Sequence, residues 1–170
     1  AGDLHTDHTN FFDTDAAAAL SRVTTPVDLG NIENGAWHKV EVFLDADTQT
    51  LTYTFNGANV GTLNRDIVKD FLGGSDFAYF GFTAATTRAT NAQQIKINSV
   101  EAVFEDKSRD RAEGPFDVSD PAGHVNLNGN ASFLGSSNVF RLTGDLRAVS
   151  GNIMSNERIQ LSHDFSISFD

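Results

Sequence analysis

Apolar and polar residues alternate with a period of two along much of this chain. In Val40-Glu41-Val42-Phe43-Leu44-Asp45 the residues Val40, Val42 and Leu44 share one face, with Lys39 and Glu41 on the other. The run from Thr50 to Phe55 sets Leu51, Tyr53 and Phe55 against threonines and ends in Asn56-Gly57. Successive side chains of a strand point to opposite faces, so each run reads as a half-buried strand. The short polar stretch 45–49 joins them as a β-hairpin, and Asn-Gly marks the next reversal.

The same reading extends along the chain. Phe77-Ala78-Tyr79-Phe80-Gly81-Phe82-Thr83 is apolar on both faces, which predicts a central strand of a two-layer sandwich. Residues 94–104 predict a long strand kinked near Ser99, and 27–29, 125–127, 131–134, 139–142 and 165–169 predict shorter ones. Asn64 to Leu72 has a polar start and apolar residues at Ile67, Val68, Phe71 and Leu72. It predicts one or two helical turns closed by Gly73-Gly74. Ala16 to Leu20 has no apolar stripe beyond it and is stopped by Pro26, so it reads as loop. No stretch sustains a helical period. The expected class is all-β, a sandwich of antiparallel sheets.

One stretch breaks the pattern. Residues 107–115 are charged, lack a large apolar side chain and end in Gly114-Pro115, as a linker does. It divides the chain into residues 1–106 and 116–170.

Composition narrows the partners. Twelve basic against twenty-three acidic side chains give a net charge of -11, which repels nucleic-acid backbones and anionic membranes. Cysteine is absent, excluding disulfide staples and thiolate metal sites. No apolar run is long enough to span a bilayer, so no membrane insertion is expected.

The opening stretch carries candidate chemistry. Asp3, Asp7, Asp13 and Asp15 crowd together with His5, His8 and Asn10. Carboxylate and carboxamide oxygens are hard ligands suited to calcium, and imidazole suits a transition metal. The same composition also describes an acidic solvated arm. The 45–49 turn has alternating acids but lacks the glycine and distal glutamate of a calcium-binding EF-hand loop. Glycosidase chemistry needs two carboxylates flanking the scissile bond. Glu101 and Glu105 are the closest acidic pair on a late strand, and no serine elbow or phosphate-binding glycine loop is present, so catalysis is not expected. Trp37 is a candidate sugar-stacking platform, but it begins a strand and is expected in the core. Asn130-Ala131-Ser132 matches a glycosylation sequon and reads as a chance match.

Three pieces together resemble the legume-type (L-type) lectins and their bacterial relatives, of the concanavalin-like jelly-roll family. They are Trp37-His38-Lys39-Val40 through Asn56-Gly57, then Tyr79-Phe80-Gly81-Phe82-Thr83-Ala84-Ala85-Thr86, and Asn128-Gly129-Asn130-Ala131-Ser132 with Phe165-Ser166-Ile167-Ser168-Phe169-Asp170. The resemblance implies a jelly-roll sandwich that is circularly permuted or split. The pieces similar to the family's opening strands, in 116–170, here follow those similar to its later strands, in 1–106. It also implies a missing segment, the one that carries the family's sugar-contacting Asp and completes its metal site.

By the same resemblance Asp3 is a ligand shared by two ions and His8 a ligand of the transition ion. The implied cofactor is calcium, with manganese as the second ion. Thr87, Arg88 and Ala89 fall in the place of the family's sugar-specificity loop. The expected function is a non-catalytic carbohydrate-binding or adhesin module, with a glycan as partner, on the bacterial cell surface or outside the cell. A neighbouring chain or segment is expected to complete the sheet. The alternative expectation is a structural β-sandwich unit of a fibre or surface array.

Overall fold

The computed structural model describes residues 7–13, 21–88, 90–105 and 116–170, so Asp3, Ala89, the 16–20 loop and the 107–115 linker lie outside it. The described chain is nearly all β, with 49% of residues in strands and 6% in helix, as the alternation requires. It opens with β1 (Asp7–Thr9), β2 (Phe12–Asp13), β3 (Ser21–Arg22) and β4 (Val27–Gly30). Then follow β5 (Val40–Asp45), β6 (Thr50–Phe55), β7 (Ala58–Asn64) and the single helical turn α1 (Ile67–Asp70). Next are β8 (Phe77–Ala78), β9 (Gly81–Ala85), β10 (Gln93–Ile95) and β11 (Ile97–Glu101). A 3-10 turn at Pro121–His124 leads into β12 (Val125–Gly129), β13 (Ser132–Leu134) and β14 (Val139–Thr143). The last strands are β15 (Ser150–Ser155), β16 (Ile159–Gln160) and β17 (Phe165–Phe169).

The main sheet has the order β11-β17-β5-β6-β7, all antiparallel. Its register lines up the alternating apolar positions read from the sequence. Phe165, Leu44, Leu51 and Leu63 form one cross-strand row, and Val100, Ile167, Val42 and Tyr53 form the next. Apolar neighbours on one face are the unit of sheet stability, and a one-residue slip would turn all of them to solvent. In the second row Gly61 faces Tyr53, and a Cβ there would lie 2.0 Å from the Tyr53 ring. The glycine therefore makes room for the ring.

The opposing layer consists of β12-β15-β9 and β10-β14-β13. Strand β14 is buried along nearly its whole length, with Phe140 and Thr143 fully inaccessible. Its backbone passes so close to β15 that a Cβ on Gly151 would stand 2.1 Å from the Leu142 carbonyl oxygen. The layers meet through one apolar cluster that includes Leu44, Ile97, Phe140, Ile153, Phe165 and Ile167. Phe82 and Phe169 touch edge to face across it, with centroids 4.6 Å apart.

The predicted 94–104 strand divides. Lys96 exchanges both backbone hydrogen bonds with Asp170 at 2.9 Å, while Ile95 and Ile97 on either side are buried. One continuous stretch thus serves both layers, β10 in one and β11 in the other. The ladder slips again between Ile97 and Ser99, where the kink was expected, and β11 stops at Glu101. The 77–83 run also differs from expectation. Phe80 and Phe82 pack against the core, but Tyr79, in the link between β8 and β9, is 50% exposed. Among the described residues β9 pairs with β15 alone, and an antiparallel sheet can leave its outer face to water. An apolar cavity of about 510 Å³ lies beside it, lined by Val42, Phe80, Phe82, Leu161, Ile167 and Phe169 among others.

The N-terminal strands brace the inner face of the main sheet. The Thr9 and Tyr53 hydroxyls are hydrogen-bonded at 2.7 Å, and Phe11 meets the Tyr53 ring edge-on at 5.0 Å. Burial pushes the Tyr53 phenol up, and the Thr9 bond partly opposes that. Helical turn α1 starts where Asp66 accepts the Lys69 backbone N–H at 3.0 Å, an N-cap that satisfies one orphan donor.

Candidate functional site

Two loops at one end of the sandwich face each other across a polar cleft. The first, between β4 and β5, is built from side-chain caps. Asn31 accepts the Glu33 N–H at 3.0 Å and Asn34 accepts the Ala36 N–H at 2.9 Å, the short-range bonding that makes Asn a turn residue. Gly35 has a positive φ of 74°, which glycine adopts without strain. Asp7 on β1 ties the loop down by accepting the Ile32 N–H at 2.9 Å. On the far side His38 stacks on Phe55 at 5.1 Å, and Asn56 Nδ2 lies 3.0 Å from its Nδ1. Trp37 is held between these anchors and is 52% exposed.

The second loop joins β9 to β10. Thr86 is buried and donates from its hydroxyl to the Leu146 carbonyl at 2.6 Å. Thr143 of the buried β14 donates to the Asn91 carbonyl at 3.0 Å and accepts the Gln93 N–H at 3.3 Å. The loops touch where Asn91 Nδ2 donates to Glu33 Oε1 at 3.3 Å. Residues 60 positions apart are thus fixed by core-anchored hydroxyls rather than by loop stiffness.

The cleft encloses about 640 Å³ and is lined by Asp7, Ile32, Glu33, Trp37, Asn91, Gln93 and Gln94 among others. An adjoining hollow of about 400 Å³ shares Glu33, Asn91 and Gln93 and adds Thr86, Thr87 and Thr90. Among the described residues, no lysine or arginine lines either hollow. A concave surface with an exposed aromatic wall and convergent amides and carboxylates suits a small polar ligand.

The residues implied by the resemblance divide. Thr87 lies in the adjoining hollow, and its carbonyl accepts the Ala148 N–H at 3.1 Å. Arg88 is exposed and does not line either hollow. Asp3 and Ala89 lie outside the described residues. His8 is paired in register with Asp28 and borders a separate apolar cavity of about 450 Å³, with Leu29, Val42, Tyr53 and Phe169. Its neighbour Asp7 lines the cleft, so strand alternation sends the two in different directions.

Among the described residues no three of His, Asp and Glu stand close enough to hold a metal ion. Calcium takes six to eight oxygen ligands. The described residues bring no such set together, and Asp3 lies outside them.

Trp37 is the main correction. Its position at the start of a strand predicts core, yet half its surface is open because β5 begins three residues later. Glu33, Asn91 and Gln93 carry no motif. The one local signal was the turn-rich stretch 30–35 placed directly before the single tryptophan. Fold and cleft together define an all-β sandwich with an open polar site at one end. No known family model matches the chain.

Proposed function

We propose that this protein is a non-catalytic carbohydrate-binding module, lectin-like or adhesin-like, of a bacterial extracellular protein, and that the Trp37 cleft receives the glycan. The carrying observation is the half-exposed indole set beside Glu33, Asn91 and Gln93 in a hollow of about 640 Å³. A sugar ring has an apolar face and a rim of hydroxyls. Indole covers the first, and paired carboxamide and carboxylate groups serve the second. Affinity per site is weak in such shallow clefts and is raised by multivalent display. The non-catalytic reading is supported by Glu105, whose carboxylate engages Arg158 through both Nε, at 2.6 Å, and the terminal nitrogen. Among the described residues Glu101 accepts one long hydrogen bond, from Ser166 at 3.5 Å, at the exposed end of β11.

Trp37 is the only tryptophan, so its emission reports the cleft directly. Titration with a panel of neutral oligosaccharides is expected to shift it. By calorimetry, Trp37→Ala is expected to weaken binding at least about tenfold, the equivalent of about 1.4 kcal/mol. Unchanged calorimetric affinity in that variant refutes the assignment. The metal site implied by the resemblance, with Asp3 shared between calcium and manganese and His8 on the manganese side, has its own test. Metal at a hundredfold excess over its dissociation constant should stabilise the fold by about 2.7 kcal/mol relative to chelator, and Asp3→Ala should abolish the difference.

The second reading, a structural unit completed by a neighbouring strand, is supported by β9. Among the described residues this strand has one unpaired edge, beside an apolar cavity. Concentration-dependent assembly that is lost on placing proline in β9 would favour it over the glycan reading.

A further inference from the structure

The geometry points to a cationic glycan, an oligosaccharide of 2-amino-2-deoxy sugars with free, protonated amines, as the ligand class of the Trp37 cleft. This rests on the carbohydrate reading above. The amides of Asn91, Gln93 and Gln94 supply the donors and acceptors that any hydroxyl-rich ring requires. The carboxylates of Asp7 and Glu33 add something a neutral sugar does not need, a negative field inside a concavity with no basic side chain among the described residues of its lining. Low-dielectric walls focus such a field, and it attracts cations and rejects anions.

Each carboxylate holds one hydrogen bond. Asp7 holds the Ile32 N–H at 2.9 Å, and Glu33 accepts from Asn91 at 3.3 Å. Each of these bonds leaves acceptor capacity on its carboxylate, which has about four lone-pair sites. A different kind of observation points the same way. The half-exposed face of Trp37 borders the same hollow, and indole is the aromatic ring that attracts a cation most strongly. A uronic or sulfated glycan would meet two like charges in a protein of net charge -11.

The test uses Trp37 emission and calorimetry at one mildly acidic pH. The probes are a glucosamine oligomer, the N-acetylated oligomer of equal length, an oligogalacturonate and a lysine peptide of matched charge. The glucosamine oligomer is expected to bind about tenfold tighter than its N-acetylated form, a difference of about 1.4 kcal/mol, and the oligogalacturonate not at all. Glu33→Gln and Asp7→Asn should each reduce that preference, and together remove it, while binding of the N-acetylated oligomer persists. Asn at position 7 can still accept the Ile32 N–H. Asp47→Asn removes one exposed carboxylate in the 45–49 turn and should leave the preference intact. Raised salt should shrink the preference, as screening requires.

Equal binding of the two amino-sugar oligomers overturns the proposal while leaving the carbohydrate reading standing. So does an equal effect of Asp47→Asn and Glu33→Gln, which would make the attraction one of net charge alone. A lysine peptide that binds as tightly as the glucosamine oligomer overturns the sugar specificity. Silence with every oligomer overturns both readings.

Discussion

Ile167 tests whether the described chain is one cooperative unit. It is 6% exposed in β17, with Val100 of β11 on one side and Val42 of β5 on the other. Strand β17 is the element that ties residues 116–170 into a sheet otherwise made from residues 40–101. Ile167→Ala deletes a branched side chain between two packed neighbours, and such truncations cost about 2–5 kcal/mol. Taking about 3 kcal/mol and a urea slope of about 2 kcal/mol per molar, the midpoint should fall by about 1.5 M. Urea unfolding followed by Trp37 emission reads this from a residue far away in sequence, and circular dichroism reads the strands as a whole. Both midpoints are expected to move together. A Trp37 midpoint that stays in place while the dichroism midpoint falls would refute the shared core and show two separately folding halves.

Three further expectations follow from particular contacts. Gly151→Ala places a Cβ 2.1 Å from the Leu142 carbonyl oxygen and 2.7 Å from the Ala131 nitrogen, both backbone atoms. It should cost about 3 kcal/mol, the upper end for overpacking, in thermal or urea unfolding. Gly135→Ala has no neighbour closer than 3.7 Å and is the near-neutral control; equal losses at both sites would contradict the close β14–β15 approach. The raised phenol of Tyr53 makes stability depend on alkaline pH. Its contribution is fully present below the ordinary tyrosine value of about 10 and is lost as pH rises through the folded-state value. Ultraviolet titration of a Tyr79→Phe variant should show Tyr53 ionising later than free tyrosine, and adding Thr9→Val should delay it further; ordinary titration would contradict the burial of the phenol, and no change on Thr9→Val would contradict the Thr9–Tyr53 bond. Asp117 is held below the usual carboxylate range, first by the Ser119 hydroxyl and then by its N–H. Its stabilising effect is present above the unfolded value and lost as pH falls through the lowered one. Ser119→Ala should move the Asp117 midpoint upward in a carboxyl NMR titration, and an unmoved midpoint would contradict that cause.

The main sheet was legible because its inner face obeys one local rule. Val40, Val42 and Leu44 alternate, as do Leu51, Tyr53 and Phe55, and the register places them side by side. A hairpin joined by a short turn leaves little freedom in that pairing. The edge position of β9 was not legible, because an apolar run is equally consistent with a strand covered on both faces. Tyr79 itself stands in the link between β8 and β9, outside both ladders, and is open to solvent there. The cleft was legible only in pieces. Asn31, Asn34 and Gly35 announced a turn, but the meeting of Glu33 with Asn91 depends on Thr143, more than fifty positions further along. No local pattern carries such a distance. His8 borders the apolar cavity at the inner face of the main sheet, while Asp3, five positions before it in the spacing that resembles the lectin motif, lies outside the described residues.

The place of β17 has a consequence for how the molecule can be made. Strands β5, β6, β7 and β11 leave the ribosome well before residues 165–169, yet β5 and β11 have no contact in the sheet except through β17. Until that strand is synthesised, both present unpaired edges, and Val42 and Val100 have no partner between them. Such edges template pairing with other chains. Loop closure over this separation is also slow relative to a local hairpin. During translation the nascent chain should therefore pass through a stage in which the 40–64 hairpins are formed and the sheet is open. Holdase chaperones acting on that stage would improve its yield more than any gain in final stability.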